Sequence, residues 1–68
     1  MFKANLLRGK LAERGYTLTA LAAEMGIVQS TLHRKMKCET EFDRPEILQI
    51  KEILNLSGEE VMAIFFAD

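Results

Sequence analysis

The sequence lacks most of what would make it something other than a small helical protein. It has one cysteine, Cys38, so no internal disulfide can form and a disulfide scaffold is excluded. One proline and four glycines leave no room for a disordered linker. No stretch approaches the roughly 20 consecutive apolar residues that span a bilayer. The opening MFKANLLRGK lacks the long apolar run of a signal peptide, so a cytoplasmic protein is expected. Nowhere do apolar and polar residues alternate as in a half-buried strand, and there is neither a repeat nor a low-complexity run. No nucleophile pairs with a histidine, and no glycine-rich loop is present to cradle a phosphate. The one histidine, His33, and Cys38 do not form a metal-ligand set. The sequence therefore gives no reason to expect an enzyme, a metal, a cofactor or a small-molecule ligand.

What is present is 68 residues, 49% of them apolar. That supports one modest core, near the lower end of what folds unaided, and a single domain over 1–68. The net charge of −1 hides a division. Residues 1–37 hold seven cations against two carboxylates, a balance of +5, while residues 38–68 hold two against eight, a balance of −6. Such a chain is a dipole, and its basic half can face an anionic partner.

The apolar spacing and cap signals predict five short helices and an all-α fold. Phe2, Leu6, Leu7 and Leu11 mark a first helix over 2–14 that stops at Gly15, with Gly9 available for a close helix contact. Thr17 caps a second over 18–25, with Tyr16 and Leu21 placed as a hydrophobic staple. Gly26 supplies the positive φ of a tight turn. A third helix covers 28–36, with Val28, Leu32 and Met36 inward. Asp43 and Glu46 form a capping box for a fourth, with Pro45 in its first turn and Ile47, Leu48, Ile50, Ile53 and Leu54 as its buried stripe. Ser57 and Glu60 repeat the box for a fifth over 58–66.

Residues 17–36, TLTALAAEMGIVQSTLHRKM, organise the rest. They read as a helix, a tight turn and a second helix. Opposite its apolar side the third helix presents Gln29, Ser30, His33, Arg34 and Lys37, with no carboxylate among them. Hydrogen-bonding and cationic groups on one helix face suit phosphates and base edges in a DNA major groove.

This stretch resembles the helix-turn-helix of the lambda repressor and Cro-type (Xre-like) family. Leu21-Ala22 resembles the family's Leu-Ala pair, Gly26-Ile27 its turn, Gln29-Ser30 the opening of its recognition helix, and Leu32 the buried anchor. EILQIKEILNLSGEEVMAIFF is similar to the last two helices of small phage and prophage repressors. The chain departs from the family in three places. Leu18 stands where a phosphate-touching glutamine is frequent, Val28 where serine caps the recognition helix, and Lys35 where an apolar residue is common.

The resemblance implies a compact five-helix lambda-repressor-like fold and a sequence-specific transcriptional regulator that binds operator DNA as a homodimer. Gln29, Ser30, His33 and Arg34 are the candidates for base contacts, Gln29 first because its amide matches adenine. Ser30 can equally serve a phosphate or the free N–H groups of its own helix. Thr17, Lys35 and Lys37, with cations of the first helix, are the candidates for phosphates. Met62, Phe65 and Phe66 crowd the last helix beyond what one small core absorbs, and mark a dimer or partner surface. The alternative is a protein-interaction module, an adaptor or antitoxin-like partner, docking through that apolar helix.

Overall fold

The computed structural model describes residues 1–68. It has five α-helices and no strand: α1 (Ala4–Arg14), α2 (Leu18–Met25), α3 (Gln29–Met36), α4 (Arg44–Ile53) and α5 (Gly58–Phe65). The longest has 11 residues, and helices shorter than about 12–15 residues are marginal alone in water. Each must therefore be held by its ends and by one buried face.

The starts follow the sequence signals. Thr17 Oγ1 accepts the Ala20 N–H at 3.0 Å. Asp43 accepts from the Glu46 N–H at 3.0 Å while the Glu46 carboxylate accepts from the Asp43 N–H at 2.9 Å. Ser57 and Glu60 make the same reciprocal pair at 3.0 and 2.8 Å. Three starts thus have side-chain partners for N–H groups that the helix cannot satisfy.

Four of the five stops share one device. After α1, Gly15 takes φ 74°, its N–H reaches Ala12 O, and the Tyr16 N–H reaches Leu11 O. After α2, Gly26 takes φ 74°, its N–H reaches Ala23 O, and the Ile27 N–H reaches Ala22 O. This paired closure satisfies two terminal carbonyls and turns the chain sharply. Cys38 and Asn55 do the same after α3 and α4, at φ 64° and 54°. Asparagine tolerates that conformation, and cysteine there carries the steric cost of a Cβ.

The core is built around α2, which packs against α3 and α4, while α5 packs against α1 and α4. Leu7, Leu21, Leu32, Ile50, Leu54 and Ile64 are the largest fully enclosed side chains. Ala22 lies buried, and its small size lets α2 and its neighbours approach. No helix is long and apolar enough to cross a membrane.

Several expectations are corrected. The first helix begins at Ala4, because the Lys3 N–H is drawn to Ile64 O at 2.7 Å. Phe2 instead joins Phe42 and Phe65, with ring centroids 5.0 and 5.4 Å away, closing the two chain ends together. Leu6, Val28 and Leu48 are exposed, not core. Val28 precedes α3 in extended backbone, out of register with Leu32 and Met36. A Cβ on Gly9 would meet nothing within 4 Å, so that glycine serves no close helix contact.

Lys10 on α1 and Glu60 on α5 form an ion pair that joins the two helices. Glu60 serves it with the carboxylate that also closes its own capping box. The Lys10 ammonium, and then the backbone N–H of Ser57, hold the Glu60 carboxyl down at about 2 from an ordinary 4.5. A carboxyl depressed on folding stabilises the fold above its unfolded value and stops doing so as acid protonates it. The thermal midpoint of the wild type should therefore fall as pH drops from 4.5 towards about 2. Glu60→Gln keeps an oxygen for the Ser57 N–H, and its acid limb over that window should be shallower. Superposable limbs would show that the pair contributes nothing.

The Gly26 turn offers a second test. A Cβ added there meets open space, so Gly26→Ala isolates the backbone term. It should cost about 1 kcal/mol, read as a lower urea midpoint at unchanged slope.

Candidate nucleic-acid interface

Helix α3 is eight residues long and its inner side is fixed by two side chains. Leu32 is fully buried and Met36 nearly so. Those two anchors are four residues apart, and Thr31 and Lys35 beside them are half-buried. Gln29, Ser30, His33, Arg34 and Lys37 are all exposed. By helical spacing Ser30, Arg34 and Lys37 lie away from the anchors with His33 beside them, while Gln29, three residues before Leu32, is exposed because it opens the helix. Neither Arg34 nor Lys37 makes an ion pair. No carboxylate belongs to α3 itself.

Gln29 is the first residue of α3, and it is not free to swing. Its Nε2 donates to Thr19 Oγ1 of α2 at 2.8 Å. That bond engages one of two amide hydrogens and leaves the other hydrogen and Oε1 available. Since Thr19 accepts here, its own hydroxyl hydrogen remains unspent. Thr17 is in the same position: its oxygen accepts the Ala20 N–H, and its hydroxyl hydrogen can go elsewhere. Thr19 was not among the expected site residues. The signal for it was indirect. Leu18 occupies the site of a frequent glutamine, and the next position holds a hydroxyl.

Val28 gives α3 no side-chain cap. The N–H groups of its first turn therefore lack the side-chain acceptor that α2, α4 and α5 have, and Ser30 does not supply one. They carry the partial positive charge of the helix start. Just before α2, the Tyr16 phenol is held above its ordinary value by its hydrogen bond to Glu24.

Not every predicted contact is presented. Lys35 lies to the side of α3, with its side chain only 12% exposed. Its ammonium pairs with the Glu46 carboxylate at 3.0 Å, donates to Glu41 O at 3.0 Å, and stands 5.9 Å from the centre of the Phe42 ring. It is engaged with the protein and does not reach out towards a phosphate. The cations of α1 divide in the same way. Arg14 donates through Nε to Leu54 O at 2.9 Å and pairs with Glu13, while Lys10 is held by Glu60 and Glu13. Arg8 is exposed and forms no ion pair. On α5, Phe65 is buried in the aromatic cluster, which removes it from any partner surface, whereas Met62 and Phe66 are 58% and 52% exposed.

No three His, Cys, Asp or Glu side chains converge to hold a metal ion. What the arrangement can do is present an amide, a hydroxyl, an imidazole and unpaired cations on one rigid convex rod. A family model for the Cro/C1-type HTH DNA-binding domain matches residues 6–66, from α1 to the end of α5. No curated protein and no solved structure matches the chain. The matched span covers both helices of the turn and the body that carries them, and the chain belongs to the Cro/C1-type helix-turn-helix DNA-binding family.

Proposed function

We propose that this DNA-binding regulator is an operator-binding repressor of the kind that the closing helices resemble in small phages and prophages, acting as a homodimer. The observation that carries the reading is the outer face of α3, where Gln29, Ser30, His33 and Arg34 stand exposed beside buried Leu32 and Met36. Seated in a major groove, Gln29 leads. Its remaining amide hydrogen and Oε1 match the N7 and N6 edge of adenine. Arg34 can take guanine or a phosphate, and Ser30 and His33 lie between them. Lys37, Thr17 and Thr19 serve the backbone, where contacts fix orientation and carry little sequence information. A dimer so seated on a promoter excludes polymerase.

The homodimer is supported by an apolar surface on α4 and α5. Leu48, Met62 and Phe66 are each more than half exposed. Phe42, Arg44, Ile47, Leu48, Val61 and Phe66 line an open groove of about 360 Å³ there. Readers of this type commonly bind two half-sites about one DNA turn apart, which a two-fold dimer matches.

Selection of bound sequences from a random duplex pool tests the reading. A two-fold symmetric consensus is expected, and a chain that enriches nothing would leave the interaction-module alternative in its place. On the selected site Gln29→Ala should cost about 1–3 kcal/mol with little effect on random DNA, and Lys37→Ala should lower the salt slope by about one. Unchanged binding in both variants overturns the proposed face. Sedimentation of Met62→Glu should give a monomer where the wild type gives a dimer, and a monomeric wild type at high concentration removes the homodimer.

A further inference from the structure

Helix α3 has two polar ties to the body besides its apolar anchors. At its start Gln29 bonds Thr19 of α2. At its end Lys35 bonds Glu46 of α4 and the Glu41 carbonyl in the loop that leads there. The second tie has features that a chance surface pair lacks. Both side chains are mostly covered, 12% and 15% exposed. The Phe42 ring lies beside the ammonium, and Phe42 is itself held between Phe2 and Phe65. Glu46 cannot drift, because the same Oε1 accepts the Asp43 N–H in the capping box. A shielded pair between two fixed partners is far less screened than an open one.

The remaining packing leaves this tie a distinct task. Helix α3 packs chiefly on α2. Leu32 and Met36 set how deep it sits, but apolar contacts tolerate small rotations better than a charge-assisted hydrogen bond does. With Gln29 tied at one end and Lys35 at the other, the axis of α3 has two fixed points. Arg34 and Lys37 flank the second point.

On the reading that α3 lies in the groove, we infer that Lys35 and Glu46 are a positioning pair. They touch no DNA, and they set the tilt of α3 so that the Gln29 to Arg34 edge meets bases along its whole length. Losing the tie lets the end of α3 lift, and base contacts fail while loose electrostatic binding persists. A phosphate-contacting Lys35 behaves in the opposite way: freeing it from Glu46 strengthens binding.

Two conservative variants separate these outcomes. Lys35→Met keeps the apolar stem against Phe42 without the charge. Glu46→Gln keeps the oxygen that closes the capping box. Each is titrated with the selected duplex and with a random duplex at several salt concentrations, after circular dichroism has confirmed that it is folded at the assay temperature. For a positioning pair, Lys35→Met weakens binding to the selected site by about tenfold, the scale of one mismatched base pair, and Glu46→Gln, which keeps a neutral hydrogen bond to Lys35, weakens it by a smaller factor. Random-duplex binding holds, the salt slope is unchanged, and the double variant is no worse than the poorer single one. Equal losses on both duplexes would mean general destabilisation and overturn the inference. A slope lower by about one for Lys35→Met, with tighter binding by Glu46→Gln, overturns it in favour of a phosphate contact. If the wild type selects no sequence, the groove reading fails first and takes the positioning role with it.

Discussion

Eight residues of helix do not persist in water without help, and three of the five helices, α3 among them, have only eight. The structure depends on that shortage. Nucleation is unfavourable and each added turn returns little, so helix ends matter as much as middles. Here Thr17, Asp43 and Ser57 cap three starts, and Gly15, Gly26, Cys38 and Asn55 turn four ends. α1 and α3 start without a side-chain cap, and α3, entered on Val28, also ends on a left-handed cysteine. The order of α3 comes from neighbours: Leu32 and Met36 within the core, Thr19 at one end and Glu46 at the other. The Val28 carbonyl accepts from the Thr31 and Leu32 N–H groups, which leaves those of Gln29 and Ser30 without a side-chain acceptor.

The charge division follows the same logic once the partners are known. The acidic half does not simply coat the far surface. Asp43, Glu46 and Glu60 sit at helix starts, where a carboxylate is favoured by the helix dipole. Two of them also hold a lysine, Glu46 taking Lys35 and Glu60 taking Lys10. This pairing takes up two of the seven cations of residues 1–37, Arg14 pairs with Glu13 of its own helix, and Lys3, Arg8, Arg34 and Lys37 are left unpaired. The net charge of −1 therefore says little about attraction to DNA, because the field at α3 is set by the charges that remain uncompensated nearby.

The helices were legible because their signals are local. A capping box spans four residues and a left-handed glycine one, and both appear in the chain as they appear in space. Part of the exposed edge of α3 is legible for the same reason, since helical spacing alone separates Ser30 and Arg34 from Leu32 and Met36, whereas Gln29 is exposed only because it opens the helix. What the sequence hid was tertiary. Nothing near Lys35 announces Glu46, Phe42 and the Glu41 carbonyl as its surroundings, so it looked like any basic surface residue. Arg14 and its carbonyl partner Leu54 are 40 positions apart. Phe65 was counted with Met62 and Phe66 because all three are apolar, but only contact with Phe2 and Phe42 decides which is interior. Val28 was misjudged by one position. An extended residue before a helix does not share the helix's periodicity.

The departures from the family pattern illustrate how a fold relocates a task. Where a glutamine is frequent at the first position of the second helix, α2 has Leu18, half-buried against the core. The polar group on this turn of α2 is the next residue's hydroxyl, Thr19, which Gln29 reaches at 2.8 Å. The exchange is not neutral. A hydroxyl is shorter than an amide and has one hydrogen, so with its oxygen accepting from Gln29 it can donate once, and only to a group that approaches closely. The same relocation occurs at the other end of α3. One residue along a helix turns the side chain by about 100°, so with Met36 buried, Lys35 must leave the axis sideways. Sideways is where α4 begins, and the first turn of α4 holds the carboxylate of Glu46. The geometry that makes Met36 an anchor is thus the geometry that turns Lys35 away from solvent and into a fastening between α3 and α4.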